Sequence, residues 1–431
     1  MSFSFRKKLF VLFVILFVIV GVITILWARG YRFDFEQWSL VKTGALYVQY
    51  TPHPAQMFLN KKPQKDTSGI VRRGTLISDI LPKSYRFLIT KDGYWDYEKN
   101  IIVSSAEVTR LNNITLIPKQ IAFKTIAEGI KGDKIVDISD NQGIITLDTK
   151  KDIYYNCPLS PLSTCTNLTT KIKTLVKGTI HNISFYPHES TVFLVNTSLG
   201  VYRANIAVNE AKALYKGLFI FADIAQNNLY VAGPKIVTTT DIATSSDKRP
   251  QTDITIYDLS LSSQAGTVHL PFDPNTISNI AISPSMIAIL LQNGQLFLYD
   301  QNEKSLRSIA DAVHQVKFSP DGGKLLYQDK DGKVFVYFVQ EDIASLDRQA
   351  GDKMQLALID IAHIQNIVWN DGYHLVLTYP NKITLAEISP FQPNNQYPLF
   401  TNTASTTDTF FKNRTLYAKT GDFLKQYQIG S

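Results

Sequence analysis

Seven histidines, His53, His181, His188, His269, His314, His363 and His374, lie scattered through the 431 residues. None stands in the His-Glu-x-x-His spacing that sets two imidazoles one helical turn apart around a metal. The glycines form no Gly-x-Ser-x-Gly elbow, no phosphate-cradling loop and no dinucleotide fingerprint. Four aspartates, Asp137, Asp223, Asp321 and Asp371, recur beside short apolar stretches. Converging on one cavity they would make a carboxylate ring or a calcium cage; apart, they would brace turns, which is the expectation here. Cys157 and Cys165 flank Pro158–Thr164, and no second cysteine pair or neighbouring histidine completes a zinc tetrad. Outside the cytoplasm such a pair is read as a disulfide, worth about 2.5 kcal/mol in the chain-entropy model. In Gly93-Tyr94-Trp95-Asp96-Tyr97, Trp95 and Tyr97 are candidate ligand contacts, because flat aromatic faces stack on sugar C–H surface. The other reading puts Tyr94 in a core, with Trp95 or Tyr97 capping an edge. Lys235, Lys248 and Arg249, within the polar insertion 233–252, are further candidate contacts. No catalytic residue, cofactor or metal is expected.

The elements that would position these residues repeat. Val316–Val339 reads as three short strands joined by tight turns at Asp321-Gly322 and Asp331-Gly332. Its nearly continuous apolar runs suit strands covered on both faces, so neighbouring copies must cover it. First-strand landmarks recur near residues 136, 183, 222, 280, 316, 367 and 410, a spacing of about 46 residues, close to that of four-stranded propeller blades. The unit Phe318-Ser319-Pro320-Asp321-Gly322 resembles WD40-like and TolB-like propellers, although no unit carries the Trp-Asp dipeptide. A seven-bladed β-propeller over 119–431 is therefore expected. Pairing of Ile121–Ile126 with Phe423–Ile429 would complete its last blade and remove an open edge. The insertion 233–252 would then project from the face where ligands of such propellers usually bind, with the cysteine loop on the opposite face.

Ahead of the repeat, Leu9–Trp27 has no charge, and 16 of its 19 residues are Leu, Ile, Val or Phe. Such a helix is about 28 Å long, matching a bilayer core of about 30 Å. The end of the segment, Thr24–Arg29, lacks a small-x-small cleavage site, so 9–27 reads as an uncleaved transmembrane signal anchor. Residues 1–8, with Arg6, Lys7 and Lys8, form the cytoplasmic tail by the positive-inside bias. Residues 28–42 read as a short stalk, and the bulk of the chain is placed outside the cytoplasm. The net charge of +7 includes those three tail residues and forms no basic run elsewhere, which excludes a nucleic-acid footprint.

Between stalk and repeat, residues 43–118 alternate with period two at Leu46, Val48 and Tyr50, and carry a turn at Asp92-Gly93. About six short strands here would make a small sandwich. Pro52-His53-Pro54-Ala55, Leu81-Pro82-Lys83-Ser84-Tyr85, Lys91-Asp92-Gly93-Tyr94 and Leu116-Ile117-Pro118 fall in the order of the PEGA domain family's motifs, which this stretch resembles. His53, Pro54 and Ser84 depart from that pattern. The resemblance implies a non-catalytic, adhesion-type domain of bacterial and archaeal cell surfaces. The chain is thus mainly β: a transmembrane helix, a PEGA-like β-sandwich and a propeller. The expected function is a non-enzymatic binding or scaffold protein of the cell envelope, with a protein or envelope polysaccharide as partner. The alternatives are a propeller enzyme acting on envelope glycans or peptides, and an accessory subunit of a membrane complex.

Overall fold

A computed structural model describes residues 3–68, 74–139, 143–162, 164–187, 189–225, 228–234, 251–259, 263–343, 345–401, 406–412 and 414–429. Helix α1 (Phe3–Ala28) includes a span, Leu9–Ala28, that is apolar on all sides and largely exposed along its length. A helix greasy all round is one suited to lipid rather than to a watery surface. Residues 28–42, the segment expected to be a short stalk, carry a hairpin. Strands β1 (Tyr31–Asp34) and β2 (Ser39–Lys42) pair as an antiparallel hairpin. Arg32–Asp79 and Lys83–Glu36 ion pairs of 2.8 Å each pin the hairpin to residues 44–115, and the Thr43 N–H donates to the Gly30 carbonyl at 2.8 Å across its base.

Among the described residues, seven strands form the small domain: β3 (Gly44–Thr51), β4 (Gln56–Leu59), β5 (Lys62–Gln64), β6 (Thr75–Ile80), β7 (Ser84–Thr90), β8 (Tyr97–Ile102) and β9 (Val108–Thr115). They lie in two sheets, ordered β6-β3-β9 and β5-β4-β7-β8, with β3 and β9 parallel. The alternation of β3 buries Leu46, Val48 and Tyr50 against Met57, Phe87, Ile89, Ile101 and Ile114. Strands β5 and β6 lie outside the sequence-based expectation, since neither carries a clean apolar alternation.

From strand β10 (Lys124–Glu128) onward the described residues form seven four-stranded antiparallel sheets, here sheets 1 to 7. Their first strands are Lys134–Ile138, Ile180–Phe185, Phe221–Ala225, Ile277–Ile282, Val313–Phe318, Asn366–Trp369 and Thr406–Lys412. Sheets 1 to 6 are each a simple meander. Sheet 7 takes its fourth strand from the other end of the chain, β10 pairing with Phe423–Gln428. The second strands are the most buried; Val192–Thr197 and Met286–Leu291 are buried at every residue, as expected of strands sandwiched on both faces.

Apolar clusters join each sheet to the next. Ile145 meets Ile183 and Phe193 between sheets 1 and 2, and Leu194 meets Leu229 between 2 and 3. Ile254 meets Ile287 between 3 and 4, Leu298 meets Leu325 between 4 and 5, and Phe338 meets Leu375 between 5 and 6. Leu385 meets Leu416 between 6 and 7, and Leu424 of sheet 7 meets Ile144 of sheet 1. The result is a propeller-like arrangement of sheets. In the tight turn after the first strand of sheet 5, Gly322 takes φ +73°, a conformation that costs a Cβ-bearing residue but not glycine.

Candidate functional site

The small domain is locked onto the propeller-like sheets through a buried ionic contact. Lys99 of β8 is fully buried, and its Nζ lies 2.8 Å from Glu387 Oε2 on the third strand of sheet 6. The same ammonium donates to the Pro393 carbonyl at 2.6 Å and the Phe391 carbonyl at 3.3 Å. The Tyr97 hydroxyl donates to Glu387 Oε1 at 2.8 Å, and the Asn395 amide donates to Oε2 at 3.1 Å. Burial pulls the Lys99 amine below its ordinary range, with Glu387 acting in the opposite direction. The Phe391 side chain packs on the sandwich core, while Trp95 and Ile117 pack in the cluster between sheets 6 and 7. A buried charge pair with every partner in place resists separation, because either charge left alone in the interior costs several kcal/mol.

This contact decides the aromatic candidates. Tyr97 is buried and hydrogen-bonded to Glu387, so it is not a sugar-stacking residue. Trp95 is half-buried in the inter-sheet cluster, with Lys119 Nζ 5.9 Å from its ring centroid, so it too serves the interface. Both rings, expected as candidate ligand contacts, pack where the sandwich meets the sheets. Lys235, Lys248 and Arg249 lie outside the described residues. Cys157 and Cys165 are joined by a disulfide with Cα atoms 4.2 Å apart.

Beside the lock, a cleft of about 710 Å³ opens between the two parts of the chain. The sandwich contributes Gln49, Tyr50, Thr51 and Asn113–Thr115; the sheets contribute Asp321, Trp369–His374, Phe411, Lys412 and Arg414, from the ends of the first strands of sheets 6 and 7 and the turns after the first strands of sheets 5, 6 and 7. Two further cavities, of about 530 and 790 Å³, continue it: Lys412 borders the first, Asp321 and Trp369 the second, and Asp223 both.

The four aspartates singled out in the sequence all face these cavities. Asp137 Oδ2 accepts the Phe185 N–H of sheet 2 at 2.9 Å, and Oδ1 receives Lys412 Nζ of sheet 7 at 2.9 Å. A fifth, Asp408, does the same one sheet earlier, accepting the Ile135 N–H of sheet 1 at 2.5 Å. Asp137, Asp223 and Asp408 each accept the N–H of the following residue at 2.8 Å, a shared local device on three first strands. Asp321 accepts the Ser319 hydroxyl at 2.5 Å and the Gly323 N–H at 3.0 Å. Asp371 accepts the Tyr373 and His374 N–H groups at 2.7 and 2.8 Å and holds His374 Nδ1 at 3.0 Å. Burial alone would raise the Asp371 carboxyl, but its hydrogen bonds with His374 and the backbone outweigh burial and hold it at about 2. Burial opposes a charge on His374, yet the Asp371 carboxylate more than compensates and raises the imidazole. Asp223 differs: burial raises its carboxyl, and the nearby Asp137 charge adds to the rise. The aspartates are therefore mostly engaged in bracing. Among the described residues no cluster of three or more His, Cys, Asp or Glu could hold a metal ion.

One constellation escaped the sequence. Asp66 accepts the Ser68 hydroxyl at 2.5 Å, the Thr75 hydroxyl at 2.6 Å and the Tyr50 hydroxyl, and His53 Nδ1 lies 3.0 Å from Ser68 Oγ. The residue types are those of a hydrolytic triad, but the geometry is not. A triad needs the imidazole between serine and acid, using both nitrogens. Here Nδ1 faces both Ser68 and, at 3.8 Å, Asp66, and Asp66 bonds Ser68 directly. The carboxyl, raised by burial but lowered further by its hydroxyl donors, sits at about 2, and the Tyr50 phenol is pushed up to about 12, chiefly by burial. The array pins Tyr50, a wall of the cleft, to the strand-flanking segments.

Residues 237–415 match the family model described as the NUP159/214 β-propeller, less than half of the chain. No curated protein matches in sequence. Among solved structures, the computationally designed Ika8 protein is similar at 11% identity and a TM-score of 0.40, over 71% of this chain and 100% of that one. PorZ, described as an essential bacterial surface component of the type-IX secretion system of Porphyromonas gingivalis, is similar at 13% identity and a TM-score of 0.41, over 71% of this chain; the match spans only 39% of PorZ. The family-model match supports a β-propeller in the C-terminal part of this mainly β chain.

Proposed function

We propose that the protein is a membrane-anchored binding platform of the cell envelope, its bulk outside the cytoplasm, made of a PEGA-like sandwich and a closed seven-bladed propeller. The observation that carries this reading is the lock between them. Lys99, Tyr97, Glu387 and Phe391 fix the sandwich on one face of the sheets, so the anchor and the propeller move as one body. Closure of the propeller is supported by the pairing of β10 with Phe423–Gln428 and by the Leu424–Ile144 cluster joining sheets 7 and 1. The PEGA-like reading is supported by the Tyr85 hydroxyl donating to the Leu81 carbonyl at 2.9 Å, which closes the Leu81–Tyr85 turn, and by Gly93 at φ +79°. Binding rather than catalysis is supported by carboxylates engaged with backbone N–H groups of neighbouring sheets. The cleft, with Trp369, Tyr373, Lys412 and Arg414 in its wall, is the proposed contact surface for a protein or an envelope polysaccharide. A photo-crosslinking residue at Arg414 should give a covalent adduct in intact cells, and one at the exposed Val208 should not. Equal yields at the two positions would refute the assignment of the cleft.

A second reading has one observation behind it. Asp223, whose carboxyl burial raises, and Asp137, ion-paired with Lys412, border one cavity, and two carboxyl groups in unlike surroundings are what acid–base cleavage of a glycosidic bond requires. On that reading Asp223→Asn would abolish cleavage of envelope glycan fragments while leaving the Arg414 adduct unchanged.

A further inference from the structure

The hairpin β1–β2 carries exposed aromatic side chains that neither the sandwich nor the sheets cover. Its register pairs Phe33 with Leu40 and Tyr31 with Lys42, so these four residues share one face, and Arg32, Asp34, Ser39 and Val41 share the other. The second face is committed to the protein: Asp34 is buried, and Arg32 reaches Asp79 at 2.8 Å. The first face is open, and the turn extends it with Phe35 and Trp38, which are 76% and 79% exposed. Phe33 stands edge-on to both, at 5.0 and 6.0 Å between ring centroids, so the exposed rings form one contiguous patch. Contiguous exposed apolar surface marks a contact rather than a soluble surface.

The position of the patch identifies what covers it. The apolar span ends at Ala28, and Tyr31 begins the hairpin three residues later. The connection is short and held: the Arg32 guanidinium lies 4.7 Å over the Trp27 ring and donates to the Trp27 carbonyl at 2.9 Å. The hairpin is thus fixed to the end of the helix, at the depth where a bilayer passes from acyl chains to headgroups. Trp, Tyr and Phe favour that zone, and Arg29 and Lys42 flank the patch where headgroup phosphates would meet them.

We infer that β1–β2 is a lipid-seated finger: Phe33, Phe35, Trp38 and Leu40 insert into the headgroup–acyl boundary of the leaflet from which α1 emerges. This rests on the reading of α1 as a membrane anchor. Tied to the sandwich by the Arg32–Asp79 and Lys83–Glu36 ion pairs, the finger sets the height and tilt of the whole ectodomain over the membrane.

The test uses the full chain in phosphatidylcholine–phosphatidylglycerol vesicles, with one environment-sensitive fluorophore on a single introduced cysteine, the native pair being bonded. Labels on Trp38→Cys and, separately, Phe35→Cys are compared with Val208→Cys as the aqueous reference and Val18→Cys as the depth reference. A nitroxide on a shallow acyl carbon should quench the labels at 38 and 35 several-fold more than the label at 208, and aqueous iodide several-fold less. Labels at 38 and 35 that behave like 208, while 18 is lipid-quenched, overturn the finger and leave the anchor standing. Protection of 38 and 35 from both quenchers means a protein cover, a second copy or another chain, and also overturns it. An unquenched label at 18 overturns the anchor and the finger together.

Discussion

Replacing Lys99 by methionine tests the lock directly. Methionine matches the length of the lysine stem and removes only the charge and its donors. Glu387 would then be left buried with two neutral donors, Tyr97 and Asn395, and the Phe391 and Pro393 carbonyls would lose their shared partner. Breaking a buried ion pair from one side costs about 3 to 5 kcal/mol, and an orphaned acceptor about 1 to 3 kcal/mol. The side chains are 0% and 10% exposed, so solvent screens little of this, and a loss of about 4 kcal/mol is expected. In Lys99→Met/Glu387→Leu the stranded carboxylate is gone, and the double variant should recover about 2 to 3 kcal/mol relative to the sum of the single ones. The assay is a double-mutant cycle on urea unfolding of the detergent-solubilised chain, followed by tryptophan emission, with Trp95 in the interface as a native reporter. Hydrogen exchange at the Asn100 N–H, which donates to the Gln392 carbonyl at 2.7 Å, should accelerate in parallel. A single-variant loss below about 1 kcal/mol, or strict additivity, would show that the charges do not hold the two parts together.

Three other perturbations probe the cleft wall and the sheets. For His374–Asp371, the raised imidazole adds stability present in full below its unfolded value of 6.5 and lost as pH climbs through the higher folded value. The lowered carboxyl adds about 2 kcal/mol above 3.8 that is lost as pH falls through about 2. Wild-type unfolding measured against pH should therefore lose the plateau between these limits in His374→Gln; an unchanged profile would refute the pairing. Cys157→Ala/Cys165→Ala should cost about 2.5 kcal/mol, seen as earlier proteolysis around residues 157–165 without loss of the other sheets. Asp137→Ala removes the acceptor for the Phe185 N–H and should cost about 1 to 3 kcal/mol, with faster exchange of that amide than of Ile289 in sheet 4.

What is legible in the sequence reflects the physics of burial. Every first-strand landmark near 136, 183, 222, 280, 316, 367 and 410 falls inside an observed first strand, because the second strand that follows it is covered on both faces and writes a continuous apolar run that fixes the register of the unit. Fourth strands such as Glu210–Lys216, half-exposed along their length, write no such signal and are not legible. Nor is the hairpin at 31–42. Its turn sets Trp38 at φ +53° without glycine or asparagine, and its exposed rings look like the tail of the anchor. The lock is hidden for another reason. Lys99 and Glu387 are separated by nearly three hundred residues, and each looks like an ordinary surface charge. Tyr97 packs in the sandwich core beside Phe391 and Trp95 in the cluster between sheets 6 and 7, contacts with residues about three hundred positions away that local patterning does not write.

The rigidity of the proposed platform depends on whether the two ends of the repeat meet in sheet 7. Thr125 faces Lys425 across the β10 pairing, and antiparallel neighbours stand about 4.5 to 5.5 Å apart at Cα, within reach of a disulfide. Mild oxidation of Thr125→Cys/Lys425→Cys should give one intramolecular bond in nearly every molecule, with Cys157–Cys165 intact, and should raise resistance to unfolding. Free thiols at 125 and 425 after oxidation of the folded chain, or bonds formed only between molecules, would mean that the sheets end in an open edge and that no ring stands over the membrane.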